Sequence, residues 1–276
     1  MKKYWVFTVL ALLALTANYA VYATPSVAKI PKGIHIVKVA AKEYKFEMPD
    51  TISAGPTLFK FTNNGSQLHH MTIVRFEQGK TLADFTSLPP GPLPTWAVFL
   101  GGPNSPMPHG GQVEDVVDLK PGNYAAFCFI PGPDGKPHWM HGMLKAFTVT
   151  PARKIGSKPT SDLTLTLLDY VFRFSTPPTA GHHVIRVVNK GTQIHEAEIF
   201  RLQPGKKGED VLAWVESGMK GPPPGAPVAG VTGEAPEYEN YLAINFTHGH
   251  YALICFMPTK DGKTHANLGM IYNFKI

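Results

Sequence analysis

Short apolar-rich runs, some of which alternate with polar residues, fill much of the first half of the chain after position 34. They occupy residues 34–39, 57–62, 71–76, 113–119, 124–130 and 144–149 and are rich in β-branched and aromatic side chains. Turn-forming residues separate them, as at 53–56 and 63–66. Only residues 81–85 and 209–217 show a helical pattern, and both segments are short. The pattern predicts an all-β protein.

Two proline-rich stretches interrupt this pattern, at residues 89–92 and 221–225. Neither shows a helix or strand signal, so long loops are expected there. Residues 151–161 combine Lys, Arg, Gly and Pro and are expected to form a linker.

The second half of the chain repeats the first. Tyr44 and Phe46 recur 126 residues later as Tyr170 and Phe172. Two copies of about 125 residues indicate tandem domains and not a solenoid. The predicted layout is a signal peptide at 1–23, a first domain at 24–150, a linker at 151–161 and a second domain at 162–276.

Each half contains the pattern C-x9-H-x4-M, with a constant offset of 127 residues between the copies. The two copies are Cys128, His138 and Met143 in the first half and Cys255, His265 and Met270 in the second. A thiolate, an imidazole and a thioether on one short loop suit copper. A second imidazole would have to come from upstream, where His69 and His195 correspond at an offset of 126 residues.

Two simpler interpretations of these residues are open. A buried Cys and Met on neighbouring strands are commonly part of a core. An exported protein could also join Cys128 to Cys255 in a disulfide. Equivalent positions in two domains would then have to come within about 7 Å between Cα atoms. The recurrence of the whole set in both halves favours a metal site.

The motif resembles that of the cupredoxins, the type 1 (blue) copper domains. The run Leu-x-Pro-Gly-x-Tyr ahead of Cys128 adds to the likeness, which covers residues 34–149 and 163–276. The resemblance implies two tandem cupredoxin-like Greek-key domains, each a β-sandwich or β-barrel with one type 1 copper. The implied ligands are His69, Cys128, His138 and Met143 in the first site and His195, Cys255, His265 and Met270 in the second.

Other histidines compete for a role. His141 lies close enough to Met143 to replace His138, but Leu268 stands at the equivalent position in the second half. The internal match therefore favours His138. His248 and His250 lie on the turn before Cys255, where they would either bind a surface metal or face solvent.

The family resemblance leaves three functions open. An electron-transfer carrier would expose each loop histidine through an apolar patch, for which Trp139 and Met140 are available. An enzyme similar to copper nitrite reductases or two-domain multicopper oxidases would have a histidine directly beside the cysteine. Here the neighbours are Phe or Ile, and only an extra copper at a subunit interface would restore a catalytic site. The third function is copper binding or delivery in the periplasm.

The N-terminus indicates export. Lys2 and Lys3 precede an apolar run at 4–17 and small residues near position 23, the pattern of a secretory signal. The alternative is an uncleaved membrane anchor. We therefore expect a periplasmic or otherwise exported protein. The formal net charge of +6 comes from scattered basic residues and is too mild to indicate a nucleic-acid partner, so none is expected. The electron-carrier interpretation implies a redox protein as the partner.

Overall fold

A computed structural model describes residue 31, residues 33–89 and residues 91–276. The predicted signal peptide at 1–23 lies outside the described residues. Within the described part of the chain, no helix is long and apolar enough to cross a membrane.

The first half consists of short strands and one helical turn. In chain order these are β1 (His35–Lys42), β2 (Lys45–Glu47), β3 (Thr51–Ser53), β4 (Gly55–Asn63), β5 (Thr72–Phe76), α1 (Leu82–Thr86), β6 (Ala97–Phe99), β7 (Gly111–Leu119), β8 (Gly122–Phe127) and β9 (Leu144–Thr150). Thr81 and Asp84 form a capping box that begins α1, because each side chain bonds the other's backbone N–H.

The second half repeats this order. Its elements are β10 (Leu163–Leu168), β11 (Val171–Phe174), β12 (Gly181–Asn189), β13 (His195–Leu202), α2 (Gly208–Glu216), β14 (Gly225–Glu234), β15 (Glu239–Phe246), β16 (His250–Ile254) and β17 (Ile271–Lys275). The all-β prediction is confirmed. The sequence pattern did not predict β14, which begins at the last residue of the second proline-rich stretch, or β15.

The strands form three sheets. The long sheet has the order β11-β10-β12-β15-β7-β4-β1-β2. The first short sheet has the order β3-β9-β8-β5-β6, and the second has the order β14-β13-β16-β17.

Alternation along the strands explains why the sheets stack as a sandwich. In β1, Val37, Val39 and Ala41 are buried while the residues between them are exposed or half-buried. They pack in one core with Tyr124 and Ala126 of β8, so the long sheet covers the first short sheet. A second core joins the other end of the long sheet to the second short sheet in the same way. The domain boundaries remain a prediction, since both halves share the long sheet.

The two halves meet through equivalent strands. In the long sheet, β7 pairs antiparallel with β15, its counterpart, with Val116 opposite Tyr241. On the other side of the sandwich, the segment after β6 pairs with β14, through bridges from Leu100 to Glu234 and from Pro103 to Val231. Antiparallel pairing of equivalent strands relates the halves by a local two-fold arrangement, as in a symmetric dimer interface.

Buried polar groups lie at this junction. Asp115 and Glu234 are fully buried, and burial raises the pKa of both carboxyl groups well above the usual range. The Asn240 amide donates to Glu234 at 2.6 Å and to the Leu100 carbonyl at 2.8 Å. Gly101 has a φ of +82°, and an added Cβ there would overlap the Asn240 amide. The junction therefore requires glycine at this position.

The junction carboxyls predict an unusual pH dependence of stability. Because the pKa of Glu234 is raised well above 4.5, the folded protein favours its neutral form. The free energy of unfolding should then fall as pH rises from the ordinary carboxyl pKa towards the folded pKa, by up to about 1.4 kcal/mol per pH unit. Glu234→Gln should reduce this fall, as measured by urea unfolding between about pH 5 and about pH 8.

Glu47→Gln is the matched control, since Glu47 lies at an exposed strand position. It should leave the pH dependence of unfolding unchanged. Equal pH slopes for the parent protein and Glu234→Gln would contradict the prediction.

Candidate metal centres

The structure brings six of the eight predicted ligands into two buried groups. His69, Cys128 and His138 form one group and His195, Cys255 and His265 form the other, and within each group the ligand atoms lie within 4.8 Å of one another. These are the two such groups of His, Cys, Asp and Glu found among the described residues.

The two groups have nearly the same geometry. In the first, the Nδ1 atoms of His69 and His138 are 3.1 Å apart, and the Cys128 Sγ lies 3.4 Å from the His138 Nδ1. In the second, the corresponding distances are 3.0 Å and 3.4 Å. Both Nδ1 atoms and the sulfur therefore point at one common position in each half.

The cysteine lies where a strand ends and a small hairpin begins. Strand β8 stops at Phe127, and the carbonyl of Cys128 accepts a hydrogen bond from the Trp139 N–H at 2.9 Å. The His138 N–H donates to the Ile130 carbonyl, also at 2.9 Å. The second half repeats both bonds, from Ala266 to Cys255 and from His265 to Met257. This hairpin explains the nine-residue spacing between Cys and His.

The methionine is held to the same hairpin by the backbone. The Met143 N–H donates to the His138 carbonyl at 3.0 Å, and the Met143 carbonyl accepts from the Cys128 N–H at 3.2 Å. Met143 is fully buried and packs in the same core as Cys128. Met270 makes the equivalent backbone bonds to His265 and Cys255 and is also fully buried. Each half thus holds its methionine to the Cys–His hairpin and buries it in the same core as the cysteine.

Buried asparagines hold the turns that lead to the upstream histidines. The Asn189 amide donates to the Gln193 carbonyl at 2.7 Å, and its oxygen accepts from the Gly191 N–H at 2.9 Å. An added Cβ at Gly191 would come within 2.6 Å of the His195 Nε2 atom. Asn63 and Gly65 play the same parts in the first half. The turn therefore sets the orientation of the imidazole.

An acidic residue stands behind each upstream histidine. In the second half, the Asp169 Oδ1 atom lies 2.8 Å from the His195 Nε2 atom. Asp169 also accepts from the Thr192 N–H at 2.9 Å. Although burial opposes ionisation, these bonds lower the pKa of Asp169 to about 2. The carboxylate therefore holds the His195 Nε2 proton and leaves Nδ1 free to bind a metal.

Glu43 is the counterpart of Asp169 in the first half. Its Oε1 atom is 3.7 Å from the His69 Nε2 atom, and it accepts from the Gln67 N–H at 3.0 Å. Hydrogen bonds from Ser66 and Gln67 outweigh burial and lower the pKa of Glu43 to about 2. The Cys–His–Met motif does not predict this acidic pair, although Glu43 and Asp169 recur at the same offset of 126 residues as the upstream histidines.

The loop histidines have different surroundings in the two halves. The His138 Nε2 atom lies 3.2 Å from the Gln67 side-chain oxygen. The His265 Nε2 atom is buried without a hydrogen-bond partner. Tyr44 and Tyr170 pack edge-on against His138 and His265, with ring centroids 5.2 and 5.3 Å apart. Packing therefore fixes both rings, but only the His138 ring has a polar partner at its Nε2 atom.

Protonation also favours metal binding by the imidazoles. Burial and the neighbouring histidine lower the pKa of both His138 and His265 to about 4, so both rings are neutral near pH 7. Burial raises the pKa of Cys128 to about 12, and it raises that of Cys255 as well. A metal that binds these sulfurs must therefore displace a thiol proton. Both cysteines are free, and no disulfide joins them.

The other histidines lie outside the two groups. The His141 Nε2 atom is 3.0 Å from the Asp134 carboxylate on the outer side of the loop. His248 is exposed on the turn before β16 and its carbonyl accepts a hydrogen bond from Arg201, and His250 is exposed as the first residue of β16. Neither belongs to a metal-binding cluster among the described residues.

The exposure of the loop histidines differs from the expectation. His138 is fully buried and His265 is 1% exposed, so neither ring reaches the surface itself. Instead, Met140 is 57% exposed and Leu268 is 42% exposed, each on the turn that follows the histidine. Any surface contact with the site must therefore pass through these apolar turns.

The chain resembles solved structures, but no similar sequence is found. No family model matches the chain, and no curated protein does. A dithionite-reduced auracyanin from Roseiflexus castenholzii is 20% identical, covering 42% of this chain and 97% of its own, with a TM-score of 0.30. Auracyanin A, a "blue" copper protein from Chloroflexus aurantiacus, is 19% identical over 43% of this chain and 100% of its own, with a TM-score of 0.31. A multicopper oxidase is 14% identical over 90% of this chain and 91% of its own, with a TM-score of 0.29. These sequence identities and TM-scores are too low to decide function, which must be inferred from the side chains of the site.

The position of His138 predicts which loop histidine binds metal. In a Cys255→Ser background, which leaves one thiol-containing site, His138→Ala should weaken Co²⁺ binding by about 100-fold or more, since even a residue that only orients a ligand contributes about 10- to 100-fold. His141→Ala should change it little, because His141 contacts Asp134 instead. Titration followed by thiolate–cobalt absorption measures both. A larger effect of His141→Ala would contradict the assignment.

Proposed function

We propose that the chain binds two type 1 copper ions and acts as an exported electron carrier. The observation that supports this most is the buried set of one thiol, two Nδ1 atoms and a neighbouring thioether, present twice with the same loop geometry. Thiolate and imidazole in a trigonal set, with a weak methionine ligand, are the donors of blue-copper electron-transfer sites. When bound, copper would supply a reversible one-electron redox couple.

The protein's own residues suit such a site. His69, Cys128 and His138 would hold the first ion and His195, Cys255 and His265 the second, with Met143 and Met270 as candidate weak thioether ligands. The backbone bonds of the hairpin and the packing of Tyr44 and Tyr170 hold the ligands in place before metal binds. The buried position excludes water, which favours electron transfer over reaction at the metal.

The residues beside the cysteines argue against an enzyme. Phe127 and Phe129 flank one cysteine, Ile254 and Phe256 flank the other, and none of these side chains can bind a metal. A catalytic metal also needs an open coordination position next to the redox site. Copper delivery is a second alternative, but the fully buried ligands do not favour ready release of the metal.

The same proposal includes the partner and the location. A redox protein is proposed to dock over the exposed turns at Met140 and Leu268, the apolar surfaces that adjoin the loop histidines. Export through the 1–23 leader would place the protein in the periplasm or outside the cell.

Thiolate ligation predicts the colour of the copper-loaded protein. Cys128→Ser and Cys255→Ser should each remove about half of the visible thiolate–copper absorption, and the double variant should be colourless, because only a thiolate gives this band. Visible spectra with a copper assay test this. Full colour in the double variant would disprove the copper assignment.

The carrier proposal predicts an absence of turnover. The copper-loaded protein should exchange electrons reversibly with a small redox protein and should consume neither oxygen nor nitrite under excess reductant, because the residues beside each cysteine provide no route to a catalytic metal. Oxygen-electrode and nitrite assays test this. Sustained consumption of oxygen or nitrite that His248→Ala or His250→Ala abolishes would favour the enzyme. The proposal of two copper sites would still stand.

A further inference from the structure

A cavity of about 600 Å³ lies between the two halves, on the side of the copper-binding hairpins. Apolar and aromatic side chains form most of its wall, including Phe99, Phe200 and Trp214. Cavities of about 300–1,000 Å³ with apolar walls and a few polar groups are typical small-molecule sites. We call it the inter-half cavity.

Equivalent residues from the two halves line this cavity. They include His70, Thr72 and Phe129 from the first half, matched by Glu196, Glu198 and Phe256 from the second. Residues between the Cys and the His of each hairpin line it as well. The local two-fold arrangement of the halves explains this, because it brings the same face of each half to the shared boundary.

Strand alternation decides which polar groups face the cavity. His195, Ala197 and Ile199 point into the core of the second half, so Glu196 and Glu198 point the other way, towards the first half. The Glu196 carboxylate accepts a hydrogen bond from the Phe256 N–H at 2.8 Å and so supports the hairpin. Glu198 makes no such contact with the hairpin.

In the first half, His70 supports the hairpin in the same way, at the position of the repeat that corresponds to Glu196. Its Nε2 atom accepts from the Phe129 N–H at 2.8 Å. Glu198 is therefore the acidic group at the cavity wall that does not hold a hairpin in place. It is 8% exposed and hydrogen-bonds with Ser105 at the boundary of the halves.

The nature of these groups limits the ligand. His70, Glu196 and Glu198 do not bring their donor atoms together as a metal cluster among the described residues, so a third metal ion is not favoured. An anion would meet two acidic side chains. Burial, together with the neighbouring Glu196, raises the pKa of Glu198 to about 8, so near pH 7 its carboxyl group is mostly neutral and both donates and accepts hydrogen bonds.

We propose that the inter-half cavity binds a small uncharged aromatic molecule whose hydroxyl group hydrogen-bonds to the Glu198 carboxyl. The aromatic wall favours a planar ring, because ring pairs gain energy beyond the area that they bury. The hydroxyl both donates and accepts, which matches a neutral carboxyl. This binding does not depend on copper, so it is separate from the proposed function.

Calorimetric titration of the full chain, metal-free and Cu(I)-loaded, tests the proposal with 1-naphthol as the probe. We expect one binding site per chain in both forms. Naphthalene, which lacks the hydroxyl, should bind about tenfold more weakly, the effect of one hydrogen bond. The 1-naphthoate anion and 1-naphthylmethylammonium should both bind more weakly than 1-naphthol.

Three substitutions locate the site. Glu198→Leu should remove the preference for 1-naphthol over naphthalene, whereas Glu198→Gln, which keeps a donor and an acceptor, should retain it. Val215→Trp should abolish binding, because Val215 of α2 lines the cavity and is half-buried. Ala213→Trp is the matched control on the exposed side of the same helix and should have no effect.

Several results would overturn the proposal. They are the absence of 1-naphthol binding, binding that survives Val215→Trp, tighter binding of the ammonium compound, and equal preference in the parent and Glu198→Leu. If copper fails to bind but 1-naphthol binds as expected, the copper proposal fails and the ligand site stands.

Discussion

The burial of two thiols in the sandwich cores is the constraint on which the rest of the site depends. Burial raises the pKa of Cys128 to about 12, while it keeps the adjacent imidazoles neutral. Without metal, the group is therefore an uncharged set of donors, which an apolar core can accommodate. A thiolate would be too costly there unless a cation bound it at the same time. Metal binding and loss of the thiol proton must consequently occur together.

Burial also disfavours charged groups at the junction between the halves. Strands β7 and β15 pair through their backbones, but the sandwich closes over Asp115 and Glu234, whose carboxyl groups burial keeps neutral. The junction therefore joins the two halves into one body, although it buries polar groups. The inter-half cavity lies on this boundary, so residues of both Cys–His hairpins line it.

Much of this structure could be predicted from the sequence. The constant offsets identified the repeat and the ligand candidates, and the apolar runs between turn residues predicted the short strands, because a strand pattern rests on local spacing. The residues behind the ligands, Glu43 and Asp169, were also visible in the repeat but lie far from the motif in the chain. Strand β14 was missed because it starts at the end of a Gly-Pro segment and its pairing with β13 is irregular. Strand β15 was missed although it lies 126 residues after the run predicted at 113–119.

The joining of the halves could not be predicted in the same way. Antiparallel pairing of β7 with β15 leaves no pattern in either strand, since any strand with an inward apolar face would show the same alternation. His70 and Glu196 occupy corresponding positions of the repeat but differ in residue type, so no shared motif marks them. In the structure they support equivalent backbone N–H groups on opposite walls of one cavity.

X-ray absorption at the copper K edge, recorded on both oxidation states of the loaded protein, tests the central claim most directly. If the buried donors bind copper as a preformed site, each spectrum should show one short sulfur and two nitrogen ligands, with little change on reduction. A shell of nitrogen and oxygen without a short sulfur bond, or one that rearranges on reduction, would contradict this account.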